Sequence, residues 1–240
     1  MDIVTALHAN EGICCAVGAG GKKTTLYALA ERIERAVVTS TVRIPPFEQW
    51  VSEFVVTEEP KPVIERATNW PLGLVRTREG SDRYEGFEPG IIDSLAESQA
   101  DSILVKADGA RMRKMKAPGS HEPAIPRTAN TVIPVVSAHV VGQPLDDAIV
   151  HRVDRVTEIT GLEPGHTITP DAIGDVIASD QGGMKQVPPG ATTVPLINMV
   201  DDDSLREAGE DIAAAIHRRV DVHRVVLARM REPDPLVAVI

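Results

Sequence analysis

Ile13-Cys14-Cys15-Ala16-Val17-Gly18-Ala19-Gly20-Gly21-Lys22-Lys23-Thr24-Thr25 is the stretch on which the fold class turns. Its apolar run reads as a buried strand, and Leu26, Leu29 and Ile33 recur at helical spacing after it. The order is therefore strand, glycine loop, helix. Successive N–H groups at a helix N-terminus attract anions, and glycines let a phosphate approach without a Cβ in the way. The expectation is a nucleotide site made by Gly18, Ala19, Gly20, Gly21, Lys22, Lys23, Thr24 and Thr25. A Walker A loop reads G-x-x-x-x-G-K-[ST], and neither register fits it fully. Lys23-Thr24 supplies the Lys-Thr pair, with Lys22 in place of glycine and Val17 at the first glycine; Gly21-Lys22 keeps Gly-Lys but is followed by Lys23. Lys23 is favoured as phosphate cation, Thr24 as magnesium ligand and Lys22 as second cation, with the register open between the two lysines. A glycine turn with solvated lysines is the plain alternative.

Outward from this unit, Ala36-Val37-Val38 begins a second strand ending in Thr39-Ser40-Thr41, whose hydroxyls are placed for a γ-phosphate or its metal, and Phe54-Val55-Val56 is a third. Pro89 to Ala100 reads as a helix with Pro in its first turn. It feeds Ile103-Leu104-Val105 and then Lys106-Ala107-Asp108-Gly109, so Asp108 stands at a strand's C-terminal end, where a Walker B carboxylate would hold magnesium. An ordinary Asp-Gly turn is the competing reading. Arg111 to Arg127 is basic, Pro-bearing and aperiodic, a long functional loop. Thr131 to Val136 is a strand, Asp146 to Thr160 a helix, and Thr169-Pro170-Asp171 opens another helix. Val194 to Ile197 is a strand ending at Asn198. Ser204-Leu205-Arg206-Glu207 resembles a capping box for a helix burying Leu205, Ala208, Ile212 and Ile216, and Val225-Val226-Leu227 is a late strand. The alternation predicts an α/β fold, a mainly parallel sheet flanked by helices, P-loop NTPase-like, in one domain over residues 1–240 with a long basic loop at about 109–130. Ligands of such sheets bind beyond the strands' carboxyl ends, which is where the glycine loop, Asp108 and Asn198 fall.

At 240 residues and 42% apolar content the chain can bury a real core, which excludes bulk disorder. A net charge of −10 argues against a general nucleic-acid binder. No apolar run approaches the roughly 18 to 20 residues of a membrane helix, and Met1-Asp2-Ile3 lacks the basic flank and apolar stretch of a signal peptide. The expectation is a cytoplasmic protein with neither nucleic acid nor membrane as partner. Cys14 and Cys15 read as small core residues rather than a metal pair. Against the acidic background, Arg111, Arg113, Lys114 and Lys116 form a cationic cluster suited to a second, anionic ligand, with a solvated loop as the alternative. His121-Glu122, between Pro118 and Pro123, offers an acid–base pair or metal ligands. Asn198-Met199-Val200-Asp201 has the N-x-x-D spacing that reads guanine, although Met199 replaces the lysine whose stem covers the base. The expected cofactors are ATP or GTP with Mg2+.

The set Val17 to Thr25, Thr39-Ser40-Thr41, Lys106-Ala107-Asp108-Gly109-Ala110-Arg111, Lys116-Ala117-Pro118, His121-Glu122-Pro123-Ala124-Ile125-Pro126, Val150-His151-Arg152, Thr169-Pro170 and Asn198-x-x-Asp201 resembles the YqeC family, accessory proteins of selenium-dependent molybdenum hydroxylases. The resemblance runs from about residue 13 to 201 and is most specific from Asp108 to Pro123; the doubled Lys22-Lys23 departs from the family's simpler Gly-Gly-Lys-Thr. It implies a P-loop nucleotide-binding fold and a role in maturing or inserting a selenium-modified molybdenum cofactor, with a molybdopterin-type cofactor and a molybdenum hydroxylase as partners. In that reading the loop amides and Lys23 hold the β and γ phosphates, Thr24 and Asp108 hold magnesium, Asn198 and Asp201 face the base, and Arg111, Arg113, Lys116, His121 and Glu122 receive the second ligand. No residue stands out as a strong base toward water, so slow turnover that drives a handover is expected. A small-molecule kinase and a nucleotide-gated binding module that does not hydrolyse are the alternatives on the same scaffold.

Overall fold

The computed structural model describes residues 1–240. A short helix α1 (Ile3–Ala6) precedes β1 (Gly12–Gly18), the glycine loop and α2 (Lys22–Ala30). Then follow β2 (Ala36–Ser40), β3 (Glu53–Val56), α3 (Pro60–Arg66), β4 (Leu72–Val75), the hairpin β5 (Thr77–Glu79) and β6 (Arg83–Glu85), α4 (Pro89–Asp93) and β7 (Ser102–Lys106). The second half holds β8 (Met115–Lys116), β9 (Thr131–Ser137), β10 (Val150–His151), α5 (Val153–Thr160), α6 (Pro170–Ala178), β11 (Thr192–Thr193), β12 (Leu196–Asn198), α7 (Asp203–His217), β13 (Val226–Ala228) and β14 (Leu236–Val239).

The main sheet runs β14-β13-β12-β9-β1-β7-β2-β4-β3, with β11 pairing alongside β9, and every pair is parallel except β13 with β14. This is an α/β fold with a large, mostly parallel sheet flanked by helices, consistent with a P-loop NTPase-like arrangement. β7 enters between β1 and β2, and β9 lies on the other side of β1. The chain therefore changes direction across the sheet at β1, and a crevice opens beyond the carboxyl ends there. Cys14–Gly18 register with Thr131–Val135, and Gly12–Ala16 with Ser102–Lys106, so the ends of all three central strands arrive together.

Alternate side chains of the strands feed opposite faces. Cys14, Ala16, Val38, Leu104, Ile133 and Val135 pack against α1 and α2, while Ile13, Cys15, Val17, Ile103 and Val105 pack with Ile64 of α3 and Ile92 of α4. Farther along that second face Val136, Ile197 and Leu227 meet α5, α6 and α7. Cys14 and Cys15 are fully buried core residues, and burial pushes the Cys14 thiol up to about 12. Pro134 lies inside a central strand, a place proline normally avoids. It is tolerated because β9's partner on that side changes from β11 at Val132 to β12 at Val135, leaving Pro134 opposite the break.

Three predicted helix boundaries are corrected. The helix read over Pro89–Ala100 ends at Asp93, because the next bonds, Leu95 N to Ile92 O and Ala96 N to Asp93 O, close tighter turns and Ser94 Oγ returns to Ile91 O at 2.7 Å. The helix read over Asp146–Thr160 begins only at Val153. Asp146 Oδ1 accepts from the Ala148 and Ile149 amides to make a turn, Val150–His151 pair with β8, and Arg152 adopts a left-handed φ of 66°. α7 is capped by Asp202, whose carboxylate accepts from Leu205 N, rather than by Ser204. β4 and β14 were not read from the sequence at all.

Leu104 is fully buried on β7 beneath α2. Leu104→Ala is expected to cost about 2–5 kcal/mol, the range for a buried leucine truncation, measured as a lowered urea midpoint with an unchanged slope.

Candidate functional site

The loop between β1 and α2 is shaped by close backbone approach. Gly20 has a φ of 98°, and a Cβ there would lie 2.5 Å from Ser137 N; at Gly21, φ 119°, it would collide with Asn198 Nδ2. Gly18 N donates to Asp108 Oδ2 at 2.9 Å and Ala19 N to Val135 O at 2.9 Å, which pins the loop's start to its neighbours. From Gly20 through Thr24 the amides have no acceptor within the chain, so a continuous run of N–H groups opens at the N-terminus of α2. Thr25 N returns to Gly21 O, and Thr25 Oγ1 donates to the same carbonyl, which keeps that hydroxyl internal. The Thr24 hydroxyl, half-exposed, makes no hydrogen bond within the chain.

Of the two adjacent lysines, Lys22 belongs to the loop. It is 5% exposed, donates to Gly18 O and stands 2.8 Å from Asp108 Oδ1. Burial lowers its pKa, opposed by the Asp108 carboxylate. Lys23, favoured from sequence, is half-buried on the first turn of α2 with no ion pair. Asp108 is 1% exposed, and its other oxygen lies 3.0 Å from Lys116 Nζ. A third ammonium, Lys106, ends β7 at 7% exposure and donates to Arg43 O at 2.9 Å. Burial, then the Lys22 charge, pushes it down to about 7. Three ammonium groups are thus buried at this end of the sheet, two of them paired with Asp108, in a chain of net charge −10. The set favours an anion. Both Asp108 oxygens stand within ion-pair distance of ammonium groups, and the buried Oδ1 accepts no hydrogen bond within the chain.

A family model described as YqeC protein matches residues 14–154, a stretch that takes in the loop, Asp108 and Arg152. The chain is also 32% identical over 230 residues to the Escherichia coli (strain K12) protein called Uncharacterized protein YqeC, covering 92% of this chain and 88% of that one. The chain belongs to the YqeC family. In this YqeC member the segment after Asp108 is more ordered than an aperiodic loop. Its β8 pairs with β10, registering Lys116 opposite His151. Lys116 also bonds Glu122 at 2.8 Å, Arg152 Nη1 reaches the same Glu122 oxygen at 2.6 Å, and Lys185 Nζ donates to Gly119 O at 2.6 Å.

These contacts divide the residues expected to receive a second ligand. Lys116 and Glu122 are internal ties, whereas Arg111 and His121 are exposed, Arg113 is half-exposed, and none of these three makes a side-chain hydrogen bond or ion pair. Arg111 and Met112 hold left-handed φ values of 47° and 63°, so the loop's tip projects them together. The pair expected to face a guanine does not converge. Asn198, 2% exposed, donates to Gly20 O at 2.9 Å and accepts from Met230 N at 3.1 Å, so both polar atoms of its amide already have partners within the chain. Asp201 is exposed and pairs with His139 Nε2 at 3.0 Å. The strand-end hydroxyls are likewise engaged: Thr39 with Leu74 O, Ser40 with Lys106 O and Thr41 with Ala124 O. Sequence reading missed Lys106, Arg152 and Lys185 as members of the charged network. The one local signal was a lysine closing the otherwise apolar Ile103-Leu104-Val105 run.

Glu122 supplies a pH test. Burial alone would raise its pKa, but the Lys116 and Arg152 contacts outweigh this and bring it down to about 2 from the ordinary 4.5. A depressed carboxylate adds stability that is complete above the unfolded value and is lost as pH falls toward the folded one. The stability difference between the wild type and Glu122→Gln is therefore expected to shrink as pH falls from about 4.5 toward 2. Denaturant melts at descending pH check this, and a difference that stays constant would mean the carboxylate charge is not what holds the loop.

Proposed function

We propose that this YqeC protein binds a nucleoside triphosphate, ATP or GTP, through the glycine loop, and uses that binding to control an anionic cargo held by the basic loop. The run of unbonded amides from Gly20 to Thr24 above the buried Lys22 carries the reading. Such a run at a helix start is an anion cradle, and a charged lysine inside it adds a charge-assisted contact. Lys22 is the phosphate cation in this proposal, and Lys23 lies outside the cradle. Neither base is favoured, because Asn198 is spent on the loop and on Met230.

The cargo site is assigned to Arg111 and Arg113, with His121 at the rim. Family membership makes a molybdopterin-type cofactor the proposed cargo and a selenium-dependent molybdenum hydroxylase the proposed recipient, in the cytoplasm. One carboxylate links the two halves. When a phosphate draws Lys22 away from Asp108, the remaining Asp108–Lys116 contact loses its competitor, and Lys116 is bonded to Glu122 of the basic loop. Phosphate occupancy thereby reaches the loop through Asp108 without any shared ligand. No side chain at the loop is placed as a base toward water, which fits a binding-and-release cycle better than rapid hydrolysis.

Lys22→Ala is expected to weaken ATP and GTP binding by about 1.5–3 kcal/mol, the worth of a hydrogen bond to a charged group. Lys23→Ala should stay within about 1 kcal/mol, as for a solvent-screened charge that makes no ion pair. Because Lys22 meets the phosphate directly in this proposal, the Lys22 effect should persist in EDTA. Isothermal titration measures all of these, and unchanged affinity in Lys22→Ala would overturn the cradle. Product analysis then separates hydrolysis, phosphorylation of an acceptor, and binding alone.

A further inference from the structure

Lys106 has no use in the reading above and is poorly explained as a structural residue. An ammonium carries three donors, and this one has a single acceptor, the Arg43 carbonyl. No carboxylate lies within ion-pair distance of it, since Asp108 is engaged by Lys22 and Lys116. The hydroxyls nearest in the sheet, on Thr39, Ser40 and Thr41, donate to backbone carbonyls. A buried cation without a counter-ion is unfavourable, and Lys22, the neighbouring charge that acts on it most strongly, makes it more so.

The carboxyl edge of the sheet is also asymmetric. On the β7 and β2 side it carries Lys22, Lys23 and Lys106; the basic loop lies over the end of β9, where Lys114 O accepts from Ser137 N, and the β12 end presents Asn198, Met199 and the His139–Asp201 pair, with no ammonium. A ligand with an anionic tail and a neutral head is therefore oriented tail-first toward β7 and β2. Lys106 lies on that side, in register with Ala16 of β1 and Ser40 of β2.

We propose that Lys106 is a second ligand-contacting cation, meeting the terminal phosphate of a nucleoside triphosphate while the loop amides and Lys22 hold the inner ones, so that the site separates triphosphate from diphosphate. This rests on the nucleotide reading of the glycine loop. The test uses the full chain and its Lys106→Met and Lys106→Arg variants, titrated with ATP and with ADP, beside ligand-free thermal melts. The wild type is expected to prefer ATP over ADP by about tenfold or more, the scale of one charge-assisted contact. Lys106→Met should remove that preference while leaving ADP affinity within about twofold and the melting temperature no lower, since no counter-ion is orphaned. Lys106→Arg, which keeps the charge, should retain part of the preference, and it serves as the deciding variant if Lys106→Met does not fold. Equal loss of ATP and ADP affinity in Lys106→Met, or an unaltered ratio, would reduce Lys106 to an anchor for Arg43 and overturn the inference. A wild type that binds both nucleotides equally overturns it as well; one that binds neither overturns the nucleotide reading and this inference together.

Discussion

A single buried carboxylate organises the charged end of the sheet. Asp108 accepts from the first loop amide at Gly18, pairs with Lys22 at the start of α2 and with Lys116 in the basic loop. It therefore joins segments that begin about ninety residues apart in the chain, as the 90-residue separation of its bond to Gly18 records. Removing one member of a buried charged set leaves the others uncompensated, so none of these residues is free to vary alone. The parallel strands supply the other half of the constraint: β1 and β7 are locked in register from Gly12–Ser102 to Ala16–Lys106, which delivers the carboxylate to the loop without any adjustment of backbone.

The arrangement is costly by design of its charges rather than by any defect of packing. Of three lysines at 5%, 7% and 4% exposure, Lys22 and Lys116 pair with a carboxylate at 1%, and Lys106 pairs with none. A core position that serves stability alone would carry an apolar side chain of similar volume, because burying an ammonium without full pairing is unfavourable. Places where local rules are broken while the surrounding fold obeys them are where function is expected. Here the surrounding fold does obey them: strands Ile13–Val17, Ile103–Val105 and Val132–Val136 are continuous apolar runs covered on both faces.

Those same runs explain what was legible in the sequence. β1, α2, β2, β7 and β9 each announce themselves by local pattern, and the α/β class follows from their alternation. β4 is interrupted by Gly73, and β14, which turns back antiparallel on β13, breaks the strand-then-helix alternation that the reading relied on. The helices over-read at Pro89–Ala100 and Asp146–Thr160 fail at polar side chains that bond nearby backbone, Ser94 and Asp146, a competition invisible to apolar periodicity. That Lys22 and not Lys23 is the one turned into the loop has a geometric reason. Adjacent helical residues point about 100° apart, so one residue's uncertainty in where α2 begins, the ordinary margin for a helix end, exchanges the lysine that enters the loop. Asp108 stood out because it follows directly on a strand end; the partners of Lys106 and Arg152, the Arg43 carbonyl and Glu122, come from distant segments and leave no local pattern.

The Asn198-to-Asp201 segment shows how a motif's spacing and its use can separate. Asn198 is the final residue of β12, and both ends of its amide are consumed, one by the loop carbonyl of Gly20 and the other by the Met230 amide. That bridge ties the glycine loop to the far strands β12 and β13, opposite the tie that Asp108 makes through β7. The loop is thus clamped from both flanks, by an amide on one side and a carboxylate on the other, and its free amides are left facing outward with little freedom to rearrange. Preorganisation of this kind lowers the ordering cost of binding, so under the proposed anion-binding reading the clamps at Asn198 and Asp108 stand in for the glycine that the Walker spacing lacks.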